Sequence, residues 1–189
     1  MVRRIGHTSL MTELSLLAIV GSLRSGSVNA ATARAAVAAA PDGVDIVIHD
    51  VHDLPLYNGD DEDAGPPAAM LALHAAVAES DGIVFFSPEY NGSFPAVTKN
   101  AIDWLSRPPT SWEGRGVTLV ATTPGPRAAL GMREHFEFVM SRQPVQTFDT
   151  LGLGNYGERI ADGEIADAAT VAELSGFIER FADFCRSKT

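Results

Sequence analysis

Short apolar runs, each stopped by a Gly-, Pro- or Asp-containing break, alternate along this chain with stretches whose apolar residues recur at helical spacing. Leu14 to Val20, Val44 to Ile48, Ile83 to Phe86 and Val117 to Ala121 are too continuous to divide between a wet and a dry face, so they predict buried strands. Gln143 to Phe148 reads as a last strand. The Ala-rich stretch Val28 to Ala40 predicts a helix stopped by Pro41-Asp42-Gly43. Pro66 and Pro67 suit the first turn of a second helix with Met70, Leu73 and Val77 on one face, broken at Asp81-Gly82. A third runs from Ala96 to about Ser106 and ends at Arg107-Pro108-Pro109. A fourth, through Met140, carries Met132, Phe136, Val139 and Met140 on one face. The closing helix puts Val171, Leu174, Ile178, Phe181 and Cys185 on a single stripe. Residues 50–65 read as irregular, with the acidic run Asp60-Asp61-Glu62-Asp63 solvated, and Gly152 to Gly157 as a glycine-rich connection.

Five strands alternating with five helices predict an α/β three-layer sandwich, a parallel sheet with helices on both faces. Right-handed crossovers leave few topologies. In the flavodoxin-like strand order 2-1-3-4-5, a crevice opens beyond the carboxyl ends of strands 1 and 3. The chain's three most unusual loops converge there: GSLRSGSVN from Gly21, SPEYNGSFP from Ser87, and TTPGPR from Thr122.

The first loop lies between a strand and a helix, the order that presents backbone N–H groups and a positive helix end to an anion. Gly21 and Gly26 have the spacing of a Walker A loop, yet Ser27 and Val28 stand where its Lys and Ser/Thr belong, which argues against a nucleoside-triphosphatase. Arg24 and the hydroxyls of Ser22, Ser25 and Ser27 suit a phosphate that is held rather than cleaved. The plainer alternative is a strand-to-helix turn with Ser27 as N-cap. In the second loop Pro88 fixes its own backbone and restricts Ser87, while Asn91-Gly92 accepts positive φ. Such a stiff loop, with Tyr90 as an aromatic surface, suits the rim of a flat heterocycle. A phosphate at one end and a planar ring at the other is the shape of FMN.

Composition narrows the partners. The 189 residues carry a net charge of -10, which argues against a nucleic-acid-binding face and an anionic membrane surface. A single cysteine, Cys185, excludes an internal disulfide and makes a reducing cytoplasm the default expectation; its place in the helical stripe makes it a core residue rather than a nucleophile. Arg3 and Arg4 before an apolar run imitate a signal peptide in outline, but the run is short, Glu13 adjoins it and no small-residue cleavage site follows. Residues 1–12 are therefore expected as a loose extension and 13–189 as a single FMN-binding domain. His49 and His52 need not face the same way and lack a supporting cluster, so no metal is expected.

The motifs GSLRSGSVN and SPEYNGSFPAVTKNAIDW, supported by DLPLYN and TTPG, resemble the NADPH-dependent FMN reductase family, which includes quinone, chromate and azo-dye reductases. The resemblance covers about the first two thirds of the domain. It implies FMN in the crevice, with Ser22, Arg24, Ser27 and Asn29 at the phosphate. Pro88, Glu89, Tyr90, Asn91, Gly92 and Ser93 would border the isoalloxazine ring, and Thr122, Thr123 and Gly125 the ribityl chain or ring. It also implies NADPH or NADH as donor, a small quinone-like acceptor, and a homodimer or homotetramer in which Leu54 to Asn58 reaches toward a neighbour's site. Two departures stand out. Pro126-Arg127-Ala128-Ala129-Leu130-Gly131 replaces the Gly-Gly pair that members often carry, and Val97-Thr98 precedes the lysine of KNAIDW where an apolar residue is common.

The flavin would carry the chemistry, so no general acid or base is assigned, and Glu89 is expected as a solvated or backbone-capping carboxylate. Arg107 and Arg127 are candidates for the 2′-phosphate of NADPH. Trp104 is expected in the core or at an oligomer interface, and His74 and His135 in structural roles. Two other classes fit the same fold: a flavin-binding electron carrier serving protein partners, and a non-catalytic interaction domain.

Overall fold

The computed structural model describes residues 14–188; the expected extension over 1–12 lies outside the described residues. The strands β1 (Leu14–Val20), β2 (Val44–His49), β3 (Gly82–Phe86), β4 (Gly116–Thr122) and β5 (Gln146–Thr147) form a parallel sheet in the order β2-β1-β3-β4-β5. A further strand, β6 (Leu151–Leu153), also pairs with β4. The helices are α1 (Val28–Ala38), α2 (Gly59–Ala64), α3 (Ala68–Ala78), α4 (Ala96–Leu105), α5 (Leu130–Met140) and α6 (Ala168–Arg186). The flavodoxin-like order expected from the alternation is the order found.

Each central strand feeds two cores. Leu17 and Ile19 of β1 pack with Met70, Leu73, Trp104 and Phe136 on the side of α3, α4 and α5. Leu14, Leu16 and Ala18 face Ala33, Phe177 and Phe181 on the side of α1 and α6. Phe85 and Phe86, neighbours on β3, point to opposite cores and are fully buried, each contributing about 1.5–3 kcal/mol. Register sets the height of the loops: Val20 of β1 pairs with Phe86 of β3, which pairs with Val120 of β4. The three chains thus leave the sheet close to one level.

Three expectations change. Val44 to Ile48 is not buried on both faces: β2 is the sheet edge, where Val44 and Ile46 point inward while Asp45, Val47 and Ile48 are exposed. The last strand is not continuous from Gln143 to Phe148. It pairs with β4 only at Gln146 and Thr147, leaves the ladder, and returns at Leu151–Leu153, overlapping the start of the expected connection Gly152 to Gly157. The acidic run is solvated, but as the short helix α2, capped by Asn58, whose side chain accepts from Asp60 N–H at 3.1 Å. Carboxylates in that first turn suit the positive helix end. A small antiparallel pair, β7 (Ile160–Ala161) with β8 (Glu164–Ile165), precedes α6. Among the described residues, no helix is long and apolar enough to cross a membrane.

Candidate functional site

The loop after β1 is bolted to the loop after β3 beneath the crevice. Gly21 donates its N–H to the Phe86 carbonyl at 2.8 Å. A Cβ at Gly21 would lie 2.7 Å from the Ser87 hydroxyl and would also collide with Thr98, so this crossing requires glycine. Ser87 and Thr98, both fully buried, share a hydroxyl–hydroxyl hydrogen bond of 2.7 Å. Thr98, read from sequence only as a departure, is thus part of the joint that sets the spacing of the two loops.

Beyond Gly21 the loop rises into solvent. Leu23, Arg24, Ser25 and Gly26 are exposed, and the backbone amides from Ser22 to Gly26 have no acceptor among the described residues. Ser27 is the N-cap of α1, its hydroxyl accepting from Ala30 N–H at 3.2 Å. That hydroxyl retains its own proton to donate. No acidic residue stands in the first turn of α1, so nothing offsets the positive helix end. Arg24 has no ion-pair partner among the described residues. Free amides, an unpaired guanidinium and a helix N-terminus together form a cradle for an anion such as the phosphate of FMN.

Asn29 has a different occupation. Its side-chain oxygen accepts from Thr122 N–H at 3.0 Å and its nitrogen donates to the Thr122 carbonyl at 3.1 Å, while Thr32 and Thr122 hydroxyls meet at 2.8 Å. The start of α1 is thereby tied to the end of β4.

The second loop turns back on itself. Tyr90 and Ser93 exchange backbone hydrogen bonds of 2.8 and 3.0 Å around Asn91 (φ 52) and Gly92 (φ 76), the positive-φ pair anticipated from sequence. Glu89 caps a backbone: its carboxylate accepts from Met132 N–H, in the first turn of α5, at 3.0 Å. The Ser93 hydroxyl pairs with His135 at 2.8 Å, and the His135 ring stacks on Phe94 with centroids 4.8 Å apart. The loop is braced from α5 while Tyr90 remains 55% exposed. His74, buried, is engaged by the Ser111 hydroxyl and the Trp104 carbonyl. Both histidines have structural partners.

Seven of the expected residues line one open cleft of about 210 Å³: Ser22, Arg24, Ser27 and Asn29 from one side, Pro88, Tyr90 and Thr122 from the others. Glu89, Asn91, Gly92 and Ser93 shape the second loop, and Thr123 and Gly125 the third, without lining that cleft. Pro124 and Tyr156 line it and were not anticipated. Tyr156 follows β6 in the segment read as a glycine-rich connection. The mix of an anion cradle from the first loop and the Pro88–Tyr90 border from the second fits a ligand with a phosphate tail and a planar head.

On the outer side of the first loop lies a second hollow of about 260 Å³ lined by Leu23, Ile48, His49, Val51 and His52. Exposed His52 pairs with Asp50 at 2.5 Å, and that hydrogen bond raises its imidazole above the ordinary value. Hydrogen bonds from His52 lower the Asp50 carboxyl. Half-buried His49 is lowered by desolvation. Among the described residues no three His, Cys, Asp or Glu side chains group as metal ligands.

The segment Leu54 to Asn58 is firmly mounted. Asn100 and Trp104 side chains donate to the Pro55 carbonyl at 2.8 and 2.7 Å, and Tyr57 N–H donates to Asn100 at 2.8 Å. Trp104 is fully buried, hence core, while Leu56 stands 74% exposed. Arg107 lies 5.8 Å from the centroid of the Tyr57 ring, and Arg127 is exposed beside the third loop.

Comparison with known proteins agrees with this geometry. The sequence model of the family described as NADPH-dependent FMN reductase matches residues 14–151. A quinone reductase of Pseudomonas putida is 33% identical over 176 residues, covering 91% of this chain and 95% of the relative. A 2-hydroxy-1,4-benzoquinone reductase from a Burkholderia species is 31% identical over 185 residues, covering 93% and 98%. Among solved structures, FerB, a flavoenzyme NAD(P)H:(acceptor) oxidoreductase from Paracoccus denitrificans, superposes with a TM-score of 0.82 at 28% identity, covering 93% of this chain and 98% of that one. The chain belongs to the NADPH-dependent FMN reductase family and is an oxidoreductase that uses FMN and NAD(P)H.

Proposed function

We propose that the cleft at the β1/β3 switch point is the FMN site and that a quinone or a similar small acceptor takes the electrons that NAD(P)H supplies. The observation that carries this reading is the meeting of three loops around one cleft: an unsatisfied amide-rich loop with Arg24, a braced Pro-Asn-Gly loop, and the loop after β4. Ser22, Arg24 and Ser27 hold the phosphate, aided by the N-terminus of α1. Asn29 keeps that helix end in place through Thr122. Pro88, Glu89, Tyr90, Asn91, Gly92 and Ser93 form the border of the ring, with Thr122, Thr123 and Gly125 along the ribityl side.

Bound FMN supplies hydride acceptance and electron transfer, and the chain supplies placement and electrostatics. Glu89 serves as a brace through Met132, so the ring's surroundings keep their shape during turnover. Exposed Tyr90 offers an aromatic surface to planar donor and acceptor in turn. Arg107 lies over Tyr57, which leaves Arg127 as the cation for the 2′-phosphate of NADPH. The names of the relatives, quinone reductase and 2-hydroxy-1,4-benzoquinone reductase, support the acceptor class. A homodimer or homotetramer, in the cytoplasm, completes the proposal, with Leu56 as the projecting contact.

An anaerobic titration tests the reading. FMN-reconstituted protein is mixed with NADPH while the visible flavin absorption is followed, and 1,4-benzoquinone is then added. Bleaching by NADPH and recovery on quinone addition are expected. Bleaching without recovery removes quinones as acceptors, and a protein that does not retain FMN removes the cleft assignment.

A further inference from the structure

One wall of the cleft comes from a segment with no recognisable motif. After β6 the chain runs beside the loop that follows β4. Thr123 N–H donates to the Leu153 carbonyl at 2.9 Å, and Tyr156 N–H donates to the Thr123 carbonyl at 3.2 Å. Two glycines permit this approach: a Cβ on Gly154 would lie 2.8 Å from the Gly125 carbonyl oxygen, and one on Gly152 would run into the Ala128 carbonyl. Arg159 clamps the turn from outside. Its Nε donates to the Gly154 carbonyl at 2.7 Å, its Nη1 donates to the Thr170 hydroxyl at 2.6 Å, and Glu173 pairs with it at 3.7 Å.

All of this framework delivers Tyr156, half-buried on a single 3-10 turn (Tyr156–Glu158), to the cleft that Ser27 and Asn29 also line. Among the described residues its phenol has no hydrogen-bond partner. Nearby, the Asn29 carboxamide is engaged at both ends by Thr122. A phosphate dianion in a chain of net charge -10 needs donors, and Arg24 is the one cation among the residues that line this cleft.

We propose that Tyr156 is an FMN-binding residue whose phenol donates a hydrogen bond to the cofactor's phosphate. This rests on the cleft being the FMN site, and the test separates the two ideas. Apo-protein is titrated with FMN and, separately, with riboflavin, which lacks the phosphate, following flavin fluorescence. Tyr156→Phe removes only a hydroxyl that has no protein partner, so the fold is retained. The Kd for FMN should rise about tenfold, the scale of a hydrogen bond to a charged acceptor, while the Kd for riboflavin is unchanged. Equal weakening of both flavins, or of neither, overturns the role of the phenol. A wild-type protein that binds FMN no more tightly than riboflavin overturns the phosphate cradle itself, and the proposal with it.

Discussion

Ala128 and Ala129 occupy left-handed conformations, with φ of 50° and 56°. Glycine adopts that region without a Cβ penalty, so the stretch after the third loop has a backbone that would accept glycine at either position. An L-residue in this region costs roughly 1–2 kcal/mol, part of which a glycine returns as chain entropy in the unfolded state. Ala129 is buried in the core, whereas Ala128 is half-buried. Ala128→Gly should therefore stabilise the protein by about 0.5–1 kcal/mol, raising Tm by about 1–4 °C, as calorimetry of the two proteins would establish. Arg127 precedes this pair and is exposed. If it reads the 2′-phosphate, Arg127→Ala raises KM for NADPH and leaves KM for NADH in place; an equal change in both removes the assignment. Single residues were legible where local chemistry decides their role, as with Ser27 as a cap or Asn91-Gly92 as a turn. They were not legible where the partner is distant in sequence: Asn29 meets Thr122, and Glu89 meets Met132, only because the sheet brings them together.

Helix α6 shows how an element is secured at its start. Asp167 is the N-cap, its carboxylate accepting from Thr170 N–H at 2.8 Å and from the Thr170 hydroxyl at 2.5 Å. These bonds lower the carboxyl from its ordinary value of 3.8. A depressed carboxyl contributes stability that is present above the unfolded-state value and lost as pH falls through the folded-state one. Asp167→Ala should thus lower Tm at pH 7, and the gap from wild type should close below about pH 3.8, where thermal melts against pH would reveal it. The elements that sequence revealed are those with both faces buried, β1, β3 and β4, and the long amphipathic helices. The fifth strand was placed but its extent was missed, because its pairing is split into pieces of two and three residues, the second of them Leu-Gly-Leu. Edge strand β2 was read as buried because its outward Val47 and Ile48 are apolar.

At the scale of the molecule, membership of a reductase family decides against the electron carrier and the non-catalytic domain that the fold alone allowed. The proposed oligomer rests on Leu56, an exposed apolar side chain on a backbone that Asn100 and Trp104 hold rigid. Leu56→Asp should leave the melting of the isolated fold intact and shift the sedimentation coefficient toward that of the monomer; an unchanged coefficient would place the contact elsewhere. One buried feature then bears on how such an enzyme survives its own work. Quinones are electrophiles that arylate thiolates by conjugate addition. The chain has one cysteine, Cys185, which is 4% exposed and packed where a Cβ on Gly82 or Gly116 would lie 2.7 Å from its sulfur. Burial pushes its thiol up to about 12, so at neutral pH it is almost wholly protonated and withheld from solvent. A catalyst of quinone reduction built this way offers its acceptors no accessible thiolate, and millimolar 1,4-benzoquinone should add no mass at Cys185 of the folded protein.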